Sequence, residues 1–111
     1  MTTPVIDADT INAAFQRLNA AQVEVFNASG GVNHAKEKLG ARRAELLDSG
    51  EIDGKNAETR EAQLKTRTEL DAARVSVAEG MAREAELRLR GAQNEVDRCK
   101  TLLKLLEVTR P

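Results

Sequence analysis

Val75, Ala78, Ala82, Ala85, Leu89, Ala92, Val96, Cys99, Leu103 and Leu106 decide the fold: small or apolar residues recur at alternating intervals of three and four without a slip. An α-helix turns once in about 3.6 residues, so this series stays on one stripe and makes a coiled-coil seam. Four of its ten positions are Ala, which lets a second helix come close if that helix presents larger side chains. Such a partner lies upstream. Ile11, Leu18, Val25, Val32, Leu39 and Leu46 recur every seven residues, and Ala14, Ala21, Ala28 and Ala35 follow the first four by three. Two seams in one chain predict an all-α fold, a long antiparallel helical hairpin with an Ala-rich seam, assembling with further chains into a helical bundle.

Composition supports long helices over a globular core. Of 111 residues, 32% are charged and only two are aromatic, both Phe, so there is little bulk to fill an interior and much charge to line a wet helix face. The net charge is −1, with six basic and eight acidic side chains in residues 1–55 and eleven and ten in the remainder. Neither half carries the positive excess of a protein held on nucleic acid by phosphate contacts. One cysteine makes no intrachain disulfide, and no apolar run approaches the roughly 20 residues of a membrane span. The expectation is a cytoplasmic protein with no membrane contact and no cofactor.

In chain order, residues 1–9 form an N-terminal arm in which Pro4 disfavours helix and Val5 and Ile6 offer a small apolar patch. Asp9 or Thr10 is the expected cap of a first helix over 10–48. Gly30-Gly31 costs that helix about 1 kcal/mol per Gly relative to Ala. The seam nevertheless passes through the pair in phase, Val25 and Ala28 before it and Val32 and Ala35 after, which favours one continuous, bent helix over a break. Gly40, Gly80 and Gly91 fall on outward positions. Residues 49–55 hold the turn chemistry, with Gly50 ending the first helix and Asn56 capping a second over 56–107.

A turn centred between Glu51 and Ile52 pairs residues whose numbers total about 103 in an antiparallel seam. That register sets Leu18 against Ala85, Ala14 against Leu89 and Arg42 against Glu61, with a weak layer where Val32 meets Asp71 and Ala35 meets Thr68. It also leaves the second helix overhanging beyond about residue 94, exposing Val96, Cys99, Leu102, Leu103, Leu105 and Leu106. Burying six such side chains is worth roughly 9 to 18 kcal/mol gross, so these six are the expected oligomer interface, sealed by a second copy of the chain. Phe15, Val23, Phe26, Val77 and Met81 lie off the seam and form the candidate partner surface, since aromatic and large apolar residues anchor interfaces.

Signals for chemistry are weak. Gly50-Glu-Ile-Asp-Gly54-Lys55-Asn56 has three residues between its glycines where a phosphate loop needs four, and Asn where it needs Ser or Thr. His34, the single histidine, takes an outward position. Cys99 sits in the seam as a small buried thiol. The carboxylates alternate with arginines on wet flanks and show no Glu-x-x-His pairing. No catalytic, cofactor-binding or metal-ligating residue is assigned, and the chain reads as a non-enzyme.

Gly54, Lys55, Asn56, Ala57, Glu58, Arg60 and Leu64, followed by an Ala/Glu/Arg-rich helix ending in Thr101-Leu-Leu-Lys-Leu-Leu-Glu-Val108, resemble a group of short, uncharacterised helical proteins encoded by bacteriophages and prophages. Those share a Gly-Lys-Asn-(Ala or Glu)-Glu-x-Arg-x-x-x-Leu turn and helix start, and the similarity covers about half of the chain. The resemblance implies a phage accessory protein, of a kind sometimes encoded near recombination and replication functions, and carries no catalytic residue. The expected function is an oligomeric protein–protein interaction module that binds and modulates a host or defence protein. The alternative is a nucleic-acid-associated accessory factor in phage recombination or replication, with Arg83, Arg88, Arg90, Arg98 and Lys100 as phosphate contacts.

Overall fold

The structure, a computed structural model, describes residues 7–108, so the arm's Pro4, Val5 and Ile6 lie outside the described residues. Helix α1 spans Ala8–Asp48, α2 Ala57–Arg67 and α3 Glu69–Val108. The chain forms an antiparallel helical hairpin in which α1 is one arm and α2 with α3 the other. It divides into two compact units, one of residues up to Phe26 with those from Arg83, the other Asn27–Ala82.

Helix α1 starts one to two residues before the expected cap. Asp7 is the capping residue: its carboxylate Oδ1 accepts from the Thr10 backbone N–H and hydroxyl, both at 2.8 Å, while its carbonyl accepts from the Ile11 N–H at 3.1 Å. One of the orphan amides of the first turn, that of Thr10, is thereby satisfied, and the Ile11 bond is the first rung of the helical ladder. The helix then runs unbroken through Gly30-Gly31, as the phase of its seam requires.

In the first unit, Ala14, Leu18, Val96 and Cys99 form a buried cluster with Leu89 and Ala92 packed against it. Ala21 and Ala85 are also buried. The interhelical ion pairs agree with this register, for Arg17 meets Glu95 and Arg88 meets Glu24, partners whose numbers total 112 in both cases. In this unit the expected register near 103 is therefore corrected by about one heptad, with Val96 and Cys99 buried alongside Ala14 and Leu18 and with Leu89 at the edge of the cluster. Val96 is 1% exposed and Cys99 8%, so the predicted overhang from residue 94 is also corrected: the first turns of α1 cover both.

In the second unit the linker departs from a tight turn, while the interhelical pair Arg43–Glu61 totals 104, close to the expected register. Gly50 adopts φ 76°, a conformation that glycine takes without a Cβ clash. Residues beyond it do not turn tightly but fold back along the start of α2. Gln63 holds them from both ends of its amide, Oε1 accepting from the Gly54 N–H at 2.9 Å and Nε2 donating to Asp53 at 2.8 Å. Arg60 donates to the Gly54 carbonyl at 3.1 Å and Arg67 reaches Glu51 at 3.2 Å. A Cβ at Gly54 would lie 2.8 Å from the Arg60 backbone nitrogen, so this close approach requires glycine. Because the linker occupies the first turns of α2, burial on that arm begins only at Leu64, with Leu46 the deeply buried residue at the end of α1. Arg43, not the expected Arg42, reaches Glu61, at 3.0 Å to both oxygens, while Arg42 pairs with Glu45 on its own helix.

Asn56 caps α2 as expected, its Oδ1 accepting from the Thr59 N–H at 2.8 Å. The second helix, expected as one element over 56–107, is interrupted at Thr68 (φ −115°, ψ 16°). The buried Thr68 hydroxyl donates to the Leu64 carbonyl at 2.7 Å, and the Thr68 N–H donates to the same oxygen at 3.0 Å. Back-bonding of a threonine to the carbonyl four residues earlier competes with the helical ladder and bends helices. This is the weak layer of the seam, and the hydroxyl that occupies it is fully satisfied.

Candidate interaction surface

The functional surface of a filled hairpin is what its seam leaves outside. On α1, Phe15 and Phe26 are eleven residues apart, about three helical turns, so they project from one face of the first unit. Phe15 is 42% exposed and Phe26 79%, with Val23 exposed beside them. On α3, Val77 and Met81 are one turn apart and both exposed, with Leu70 seven residues before Val77. These lie in the second unit, so the five residues expected to make one partner surface divide between the two units.

Of the six expected interface residues, Val96 and Cys99 belong to the buried cluster of the first unit. Leu102 is half-buried, Leu103 is 37% exposed, and Leu105 and Leu106 are exposed. The apolar surface at the end of α3 is thus smaller than the heptad count predicts. Leu47 and Leu87 are exposed as well; Leu47 is adjacent to the buried Leu46 and Leu87 lies between Glu86 and Arg88.

One flank of the first unit carries an open groove of about 330 Å³ lined by Arg17, Ala20, Ala21, Glu24, Arg88, Gly91, Ala92 and Glu95. Its floor is Ala and Gly, and its sides are the two interhelical ion pairs, with Arg17 Nε 3.0 Å from Glu95 and Arg88 Nε 2.7 Å from Glu24. All four charged side chains are well exposed, so each pair contributes at most about 1 kcal/mol. Their placement on one flank fixes helix register more than it adds stability.

The electrostatics are those of a solvated helix surface. Asp7 is held below the ordinary carboxylate value by the hydrogen bonds from the Thr10 backbone and then the Thr10 hydroxyl, which is the signature of a helix cap. His34 is exposed on α1 and Cys99 is a buried free thiol. Among the described residues no group of three or more His, Cys, Asp or Glu side chains is placed to hold a metal ion. Gly50, Gly54 and Lys55 of the phosphate-loop look-alike belong to the linker, where the Gly54 amide is already bonded to Gln63. Among the described residues no helix is long and apolar enough to cross a membrane. No protein-family model, curated protein or solved structure matches the chain.

Proposed function

We propose that this chain is a non-enzymatic accessory protein, phage- or prophage-encoded, that works as an oligomeric coiled-coil module for binding other proteins, including a second copy of itself and a host or defence protein that it modulates. The observation that carries this reading is the position of the chain's only two aromatics. Phe15 and Phe26 stand exposed on one face of α1, while the seam beside them is filled by the small buried Ala14 and Ala21. Exposed aromatics of this kind serve as interface anchors, since they bury large apolar area for little side-chain entropy. Leu103, Leu105 and Leu106 extend the apolar surface at the end of α3, and the phage assignment rests on the resemblance at Gly54–Leu64.

The test is solution mass by light scattering at micromolar concentration, for the unaltered protein and for Phe15→Ser/Phe26→Ser and Leu103→Lys/Leu106→Lys. The expected mass is a multiple of the 12.1 kDa chain, reduced to 12.1 kDa by at least one double substitution that keeps its helical circular dichroism. A mass of 12.1 kDa for the unaltered protein contradicts the oligomer. Binding to single-stranded DNA that falls steeply between about 50 and 200 mM salt would favour the nucleic-acid alternative.

A further inference from the structure

The middle stretches of α1 and α3 hold three glycines, Gly30, Gly31 and the half-buried Gly80, and at the first two packing does not call for glycine. A Cβ built on Gly30 or Gly31 meets nothing within 4 Å, so alanine fits at either position, and each glycine weakens the helix interior relative to alanine. Gly80 sits on α3 between Ala78 and Ala82, neither of which is more than half-buried. Burial is thin over the same stretches. Between Ala21 and Leu46 no residue of α1 is buried, Val25, Ala28, Val32, Ala35 and Leu39 being only half-buried, and on α3 the same holds between Val75 and Ala85. The chain's division into compact units falls at Phe26/Asn27 and Ala82/Arg83, within a turn or so of these glycines.

We infer that Gly30-Gly31 in α1 and Gly80 in α3 are built-in flexure points, at which the helix backbone opens locally while the buried layers at Ala14–Ala21 and at Leu46 stay closed. Local opening free energies follow buried contacts and helix propensity, and both are low here. A segment that opens without global unfolding lets the helix backbone yield locally to a partner, a device independent of which partner that is.

Amide hydrogen exchange on the full-length chain decides it. In the unaltered protein the amides of residues 31–35, which close the helical turns across the glycine pair, should exchange at least tenfold faster than those of residues 15–21. In Gly30→Ala/Gly31→Ala the amides at 31–35 should slow by roughly 30-fold, about fivefold to sixfold per glycine replaced, while those at 15–21 change by less than twofold. Gly80→Ala should slow residues 81–84 of α3 alone, by about fivefold to sixfold for its single replacement. Uniform exchange along α1, or equal slowing of both stretches in the double variant, overturns the inference, because the glycines would then affect only global stability.

Discussion

Single residues carry the two ends of α1. Leu46 is 1% exposed, so Leu46→Ala should cost about 2 to 5 kcal/mol in urea denaturation, whereas Leu47→Ala, at an exposed neighbour, should change stability by less than about 0.5 kcal/mol. At the other end Asp7 supplies an acid-sensitive cap. Its carboxyl is depressed in the folded state, so its contribution is fully present above the ordinary value of 3.8 and is lost as pH falls through the lower folded value. Asn can cap without ionising. Asp7→Asn should therefore match the unaltered protein at neutral pH and lose less helicity below about pH 4, as followed by circular dichroism; equal acid sensitivity of the two proteins would show that the cap does not titrate.

At the scale of elements, the linker and the Thr68 interruption set the geometry of the second arm. Gly54→Ala forces a Cβ against the Arg60 nitrogen at 2.8 Å, so the linker must peel away from α2, and the Gln63 bonds to Gly54 and Asp53 should break with it. The expected readout is faster amide exchange at position 54 and a lower Tm, with α3 unchanged. Thr68→Val keeps the shape and removes the hydroxyl bond to Leu64. Since one hydrogen bond is worth about 0.5 to 1.5 kcal/mol, stability should move little while α2 and α3 fuse into one helix, visible in backbone chemical shifts at residues 66–70. Shifts that still mark a break would assign the interruption to packing instead of the hydroxyl.

The seam was legible in the sequence because helical periodicity is a local property: the half-buried and buried residues of α1 from Ile11 to Leu46, and those of the second arm from Leu64 to Cys99, recur at the spacing read from the letters alone. The register was not legible, and for a definite reason. Sliding one arm by a heptad returns every seam residue to the seam, so large still faces small and the pattern cannot tell the two alignments apart. What distinguishes them in the first unit are the interhelical pairs Arg17–Glu95 and Arg88–Glu24, which lie outside the apolar heptad pattern. The error propagated to the surface, since the slide let α1 cover Val96 and Cys99 and shrank the apolar end of α3. The off-seam exposure of Phe15, Val23, Phe26, Val77 and Met81 was legible, because it depends on phase and not on register.

For the molecule as a whole, the central claim is a hairpin closed within one chain at the corrected register, leaving its contacts with others to residues outside the seam. Spin labels at positions 17 and 95, in labelled chain diluted with unlabelled protein so that only intrachain pairs are read, test this most directly. Packed helices lie about 8 to 10 Å apart, so with label arms the account predicts a single distance near 20 Å, and the same for positions 24 and 88. A register totalling 103 would set position 95 about nine residues, or roughly 13 Å of axial rise, from position 17, and a chain that pairs its helices only with another copy would give intrachain distances well beyond 40 Å; either result would contradict the account.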